Sequence, residues 1–379
     1  MKKIKVMTVF GTRPEAIKMA PLVLKLQADE RFSEVTVVTA QHREMLDQVL
    51  TIFKIKPDYD FNIMKQNQTL AEITAKVMLD LGQIIRTEKP DIVLVHGDTT
   101  TSLAASLATY YEQTPLGHVE AGLRTWNKYS PFPEELNRQM TDDIADLYFA
   151  PTQLSKANLL KENHPAAGIV VTGNTAIDAL QQTVKQDYHH AVMDEITPGN
   201  RVILVTMHRR ENQGEPMRRV FKVMKRVVDS HPQVEIIYPV HLSPRVQQVA
   251  QEVLAGDEHI HLIAPLDVVD FHNLAKRSYF IMTDSGGVQE EAPSLGKPVL
   301  VLRDTTERPE GVTAGTLKLV GTQEDTVEAA MTTLLENQKA YDAMANAKNP
   351  YGDGQASERI MAAIVAHFGQ GKLPADFES

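Results

Sequence analysis

Three carboxylates, each close behind an apolar run or at a helix start, mark where this chain could move protons. Asp98 follows Ile92-Val93-Leu94-Val95 in the segment His96-Gly97-Asp98-Thr99-Thr100-Thr101. Glu120 closes His118-Val119-Glu120, and Glu134 opens a helix after Pro131-Phe132-Pro133. Singly, two of them have plain explanations: Asp is a good helix N-cap, and the helix dipole favours acids such as Glu134 and Glu135 in a first turn. Glu120 is harder to dismiss, because a carboxylate ending an apolar strand must meet a cation, a ligand or water. Delivered to one place, three acids would suffice for general acid–base work, which needs at least two groups. Arg13, in Gly11-Thr12-Arg13-Pro14-Glu15, adds an anion site at a helix start, and Lys18 falls one turn later. A second anion cradle is written into Asp284-Ser285-Gly286-Gly287, where paired glycines let backbone N–H groups approach a diphosphate. Glu290 or Glu291 could accept from ribose hydroxyls, and the charge-dense stretch Arg303, Asp304, Glu307, Arg308, Glu310 reads as crevice lining. His208-Arg209-Arg210-Glu211-Asn212 and His241 also follow strand-like runs.

Such residues need a frame that presents strand ends. Apolar runs recur at 4–10, 35–39, 92–96, 117–120 and 147–150, then after Gly168 at 169–172, 202–206, 235–239, 261–264, 279–283 and 298–302, with amphipathic stretches between them. Continuous apolar strands suit a parallel sheet covered on both faces, and the alternation predicts doubly wound α/β architecture. Two units are expected, 1–168 and 169–355, with the loop 163–168 between them and a last helix beginning near Ala356. The acidic tail, Asp376 and Glu378, reads as a frayed terminus.

Composition removes several classes of function. The chain of 379 residues is 42% hydrophobic and 23% charged, an ordinary globular mix. Its net charge of −10 repels polyphosphate, so nonspecific nucleic-acid binding is not expected. With no cysteine there is no disulfide framework, zinc-thiolate site or thiol nucleophile. No apolar run approaches the ~20 residues that span a bilayer, and Met1-Lys2-Lys3 leads into a strand rather than a signal peptide, so a cytoplasmic protein is expected. Neither a Walker loop nor a Gly-x-Gly-x-x-Gly follows any strand. Asp58-Tyr59-Asp60 is rejected as a metal motif, His189-His190 reads as surface, and Asn67-Gln68-Thr69 as an incidental glycosylation triplet.

The chain resembles the bacterial non-hydrolysing UDP-N-acetylglucosamine 2-epimerases. The resemblance runs in order through Phe10–Lys18, His96–Thr100, His118–Thr125, Pro133–Arg138, Thr172–Thr175, His208–Asn212, Thr283–Glu291 and Arg303–Glu310. It implies a GT-B fold: two Rossmann-like domains around a deep cleft, with the last helix, 356–379, returning to the first. It also implies reversible conversion of UDP-N-acetylglucosamine to UDP-N-acetylmannosamine. The route would be anti elimination of UDP to 2-acetamidoglucal and syn re-addition, feeding cell-surface polysaccharide synthesis. No NAD and no metal are implied. By the resemblance Asp98, Glu120 and Glu134 are the catalytic acids, and Arg13, Lys18 and His208 stabilise the leaving diphosphate. Ser285, Gly286, Gly287, Glu291, Phe271 and Arg308 hold the nucleotide. Gln41, Gln68, Arg209 and His241 match the pattern that binds a second UDP-N-acetylglucosamine as activator, although Glu44 and Asn67 stand where that pattern has Gln and Arg. A homodimer is implied as well.

Three rivals make different products. A GT-B glycosyltransferase needs an acceptor and no base near carbon 2. A hydrolysing epimerase releases free N-acetylmannosamine and is usually fused to a kinase, for which the chain has no room. A nucleotide-sugar sensor binds without turnover.

Overall fold

The unbroken apolar runs are buried on both faces in the computed structural model, which describes residues 2–41, 43–65 and 68–378. Seven parallel strands form the first sheet: β1 (Ile4–Phe10), β2 (Phe32–Val38), β3 (Tyr59–Asp60), β4 (Ile92–His96), β5 (Leu116–Val119), β6 (Leu147–Ala150) and β7 (Ile169–Val171). Their order is β3-β2-β1-β4-β5-β6-β7. Six parallel strands form the second: β8 (Arg201–Thr206), β9 (Val234–Pro239), β10 (Ile260–Ile263), β11 (Phe280–Thr283), β12 (Val299–Val301) and β13 (Leu317–Leu319), in the order β10-β9-β8-β11-β12-β13. Both are Rossmann-like, and the expected α/β, doubly wound class is what the chain forms. The winding reverses between β1 and β4 in one sheet and between β8 and β11 in the other, so a crevice opens at the carboxyl end of each pair.

The chain divides into two compact units, one running through Ala179 and taking in Tyr351–Glu378, the other spanning Leu180–Pro350. The boundary expected at 168/169 therefore moves. Ile169–Val171 pairs with β6 and extends the first sheet, because so short a strand gains its hydrogen bonds only from an existing edge. The last helix ends at His367 rather than running to 379, and it packs on the helix Arg13–Ala28. Its first N–H groups are capped by Asp178, which accepts from Ser357 N at 2.8 Å and Ala356 N at 3.1 Å. The tail is not frayed: Asp376 accepts from Val171 N at 2.9 Å, Phe377 N donates to Val171 O at 2.7 Å, and the Phe377 ring is buried. Among the described residues, no helix is long and apolar enough to cross a membrane.

Gly11, at the end of β1, is required by close approach. A Cβ there would lie 2.0 Å from Thr39 Oγ1 and 2.7 Å from Thr101 Oγ1, two hydroxyls hydrogen-bonded at 3.0 Å. Gly11→Ala is expected to destabilise the first unit by ~1–3 kcal/mol, read as a lower urea midpoint at unchanged slope.

Candidate active site

The first crevice is built around a buried carboxylate. Thr12 caps the helix Arg13–Ala28 in a capping box with Glu15. Glu15, 2% exposed, accepts from the N–H groups of Gly11 (3.0 Å) and Thr12 (2.7 Å) with one oxygen. The other oxygen accepts from the hydroxyls of Thr99 (2.7 Å) and Ser102 (3.1 Å) beyond β4. Glu15 thus ties the turn carrying Arg13 to the turn carrying Asp98, and burial pushes its carboxyl above the usual range despite those bonds.

Asp98 is not a helix cap. Thr99 caps the helix Thr100–Tyr111, accepting from Ser102 N at 3.1 Å. The Asp98 carboxylate instead takes the Arg138 guanidinium (Nε at 3.1 Å), while Asn137 Nδ2 donates to its carbonyl at 2.9 Å. Both partners lie on the helix Glu134–Ile144, so Asp98 and Glu134 share one neighbourhood. Of that helix's two leading acids, Glu135 is fully buried and accepts from Thr125 N and Trp126 N, which makes it a loop clamp. Glu134 is half-buried and its carboxylate, among the described residues, has no hydrogen-bond or ion-pair partner.

Glu120 follows β5 in left-handed backbone, φ 69°, a conformation costing a non-glycine residue ~1–3 kcal/mol. What it meets is a cation: Lys18 forms an ion pair with Oε1, and Asn174 Nδ2 donates to the same oxygen at 2.9 Å. Lys18 therefore points inward, as its place one turn past Arg13 suggests. His96 Nε2 lies 3.9 Å from Glu120 Oε2, and burial lowers that imidazole to about 3, so the ring is neutral.

Behind these groups sits His118, fully buried, with Nδ1 2.6 Å from Asp142 and Nε2 2.7 Å from the Gly97 carbonyl. Asp142 also accepts from Gly122 N at 3.2 Å and pairs with Arg124 at 2.7 Å, and Arg124 Nε reaches Glu162 at 2.9 Å. One network thereby joins the Gly97-Asp98 turn, the Glu120 turn and the helix of Glu134. The structure brings the turns of Asp98 and Glu120 together at the carboxyl ends of β4 and β5, where a Cβ on Gly97 would stand 3.3 Å from Glu120 Oε2, while Glu134 lies on the same helix as Asn137, which bonds Asp98.

The second unit repeats the device. Asp284, fully buried after β11, accepts from His208 N (3.0 Å), Arg209 N (2.9 Å) and Asn212 Nδ2 (2.9 Å). It fixes the loop after β8 across that sheet's reversal point, as Glu15 does in the first unit. His208 stacks on His241 with ring centroids 5.4 Å apart, and burial holds its imidazole below the ordinary value even though Asp284 opposes the shift.

Ser285 precedes the short helix Gly286–Glu291. The Arg308 guanidinium lies over Gly286, where a Cβ would stand 3.2 Å from Arg308 Cζ, and its Nε donates to Glu290 at 2.8 Å. Glu291 meets His272 Nε2 at 3.3 Å, and the His272 ring sits edge-on to Phe271. The residues expected to hold a nucleotide, Ser285, Gly286, Gly287, Phe271, Glu291 and Arg308, thus lie around this one helix or pair with its side chains, and Arg308 also donates to Glu307 at 2.9 Å. If the nucleotide that the resemblance implies binds here, Arg308→Ala weakens UDP binding ~10- to 100-fold, measured by calorimetry.

The expected activator residues divide between the units. Gln41, whose Oε1 accepts from Thr101 at 3.1 Å, and the half-buried Gln68 lie in the first; Arg209 and His241 lie in the second. Glu44 is in the first turn of the helix Arg43–Phe53, and Asn67 lies outside the described residues. Sequence reasoning did not give roles to Glu15, His96, His118, Asp142 or Asp284. Only Glu15 left a readable signal, the Thr12-x-x-Glu15 capping box. No group of three or more metal-ligating side chains occurs among the described residues.

Comparison with known proteins finds the family that the sequence resembles. A family model described as UDP-N-acetylglucosamine 2-epimerase matches residues 24–365. The UDP-N-acetylglucosamine 2-epimerase of Bacillus subtilis (strain 168) is 60% identical over 376 residues, covering 99% of each chain. A solved structure from Listeria monocytogenes superposes with a TM-score of 0.96 at 59% identity, over 100% of both chains. The UDP-GlcNAc 2-epimerase of Neisseria meningitidis, solved bound to UDP-GlcNAc, matches with a TM-score of 0.86 at 49% identity, over 96% of this chain and 100% of that one.

Proposed function

Because the chain belongs to the UDP-N-acetylglucosamine 2-epimerase family, we propose that it interconverts UDP-N-acetylglucosamine and UDP-N-acetylmannosamine without hydrolysis. Carbon 2 of the sugar has no adjacent carbonyl to acidify its proton. Expelling UDP as that proton leaves solves the problem without a hydride carrier. A carboxylate takes the carbon 2 proton, and the bond from carbon 1 to the diphosphate oxygen breaks with its electron pair on UDP. A double bond forms between carbons 1 and 2, giving 2-acetamidoglucal. Re-addition reverses these changes with the proton delivered to the other face.

The observation that carries this reading is the set of acids beyond β4 and β5, with Glu120 held in a costly backbone conformation against Lys18. Asp98, Glu120 and Glu134 divide the proton transfers, and Arg13 and Lys18 offset charge on the departing diphosphate. His208, kept largely neutral by burial at physiological pH, contributes as a hydrogen-bond donor rather than as a standing cation. Ser285, Gly286, Gly287, Arg308, Glu291 and Phe271 retain UDP while the glucal exists, which keeps the reaction an epimerisation. Activation by a second UDP-N-acetylglucosamine through Gln41, Gln68, Arg209 and His241, and supply of the product to surface-polysaccharide synthesis, belong to the same proposal.

Incubation with UDP-N-acetylglucosamine in deuterated water tests it. Deuterium at carbon 2 of both epimers, with UDP still attached, is the expected NMR result. Free N-acetylmannosamine would indicate a hydrolysing enzyme, UDP released only with an acceptor a glycosyltransferase, and unchanged substrate a sensor.

A further inference from the structure

His96 is the last residue of β4 and is 3% exposed, yet its Nε2 has no hydrogen-bond partner among the described residues. Leaving a buried polar nitrogen unsatisfied costs ~1–3 kcal/mol, so a fold retains one where another state uses it. Glu120 Oε2 is the acceptor within reach, 3.9 Å away, about 1 Å too far for a hydrogen bond. The groups acting on the ring are Glu120, Lys18 from the helix Arg13–Ala28, His118 on β5 and the backbone of His96 itself. Lys18 has two claims on it under the proposed reaction, Glu120 at rest and the departing diphosphate during turnover. Each time the ammonium turns to phosphate, Glu120 gives up that contact while still needed as an aimed group.

We propose that His96 is a positioning residue for Glu120: its neutral imidazole, as the Nε2–H tautomer, closes the 3.9 Å gap and hydrogen-bonds Oε2 when Lys18 engages the substrate's diphosphate. This rests on the reading of the site as an epimerase. No atom is transferred to or from His96. A donor to the carboxylate form favours ionisation, so removing it raises the pKa of Glu120.

The test compares wild type with His96→Gln, whose amide nitrogen can replace Nε2–H, and His96→Leu, which offers no donor. Expected for His96→Leu are a kcat ~10- to 100-fold lower, KM within threefold, and an acid limb of the kcat–pH profile moved to higher pH. His96→Gln is expected to recover most of the rate and the wild-type acid limb. Equal losses in both variants with an unmoved acid limb, or no loss in His96→Leu, would overturn the proposal. Circular dichroism and urea midpoints separate a folding defect, in which case the comparison is read from His96→Gln and His96→Asn. Wild type that fails to place deuterium at carbon 2 sinks the epimerase reading instead, so the two failures are distinct.

Discussion

Glu120→Gln is expected to lower kcat for epimerisation ~1,000-fold, with KM changed less than threefold and deuterium incorporation at carbon 2 lost in parallel. The amide keeps the volume of the carboxylate and can still accept from Lys18 or Asn174, but it cannot take or give the carbon 2 proton. The backbone at this position argues the same way. A left-handed turn at φ 69° would be relieved by glycine, so the residue held there is retained for its side chain. The Lys18 pair complicates a stability reading, since both groups are largely sheltered, with side chains 14% and 9% exposed. Losing one partner takes that countercharge from the other, while losing both removes two desolvation costs. Lys18→Met and the double variant with Glu120→Gln close the cycle, and the double variant is expected to unfold at higher urea than Lys18→Met alone. Loss of kcat that instead tracked stability across the cycle would count against a chemical role for Glu120.

How much of this was legible beforehand depends on how far the partners lie apart in sequence. The central strands announce themselves, because Ile92-Val93-Leu94-Val95 can be buried on both faces and nothing else in that window can. β3 and β13, two and three residues long at the sheet edges, carry no periodicity and were not anticipated. The same is true of β7's allegiance, which Asp376 helps to fix from 205 residues away. Asp98 reads from its position as a possible N-cap, but the structure gives the cap to Thr99 and turns Asp98 to Arg138. A capping box reads locally, so Glu15 could be seen as a cap, but its bonds to Thr99 and Ser102, 84 and 87 residues on, could not. Sequence names the groups that do chemistry, which sit in turns after strands; it leaves silent the buried groups that aim them.

Those silent groups should matter most for stability, and Asp142→Asn is the sharpest case. Asp142 lies between His118 at 2.6 Å and Arg124 at 2.7 Å, with all three side chains fully buried. The two ring nitrogens of His118 face the Asp142 carboxylate and the Gly97 carbonyl. An amide at 142 would present N–H to one of these donors and strip the pair of its negative charge. Removing one member of a buried pair costs ~3–5 kcal/mol, enough to lower the thermal midpoint of the first unit by about 10 °C. Burial pushes the Asp142 carboxyl up, but His118 and Arg124 outweigh it, and the native value lies below the ordinary one. A depressed native value stabilises the fold fully above the unfolded carboxylate value, ~3.9, and that contribution fades as pH falls through the native value. The stability gap between wild type and Asp142→Asn should therefore hold steady from pH 8 to ~5 and narrow below ~4. Activity should fall further than unfolding accounts for, since Gly97, Gly122 and the helix of Glu134 are all moored to this one network. A gap that stayed constant down to pH ~3, or a variant with native stability and native turnover, would mean that His118 and Arg124 find their countercharge elsewhere.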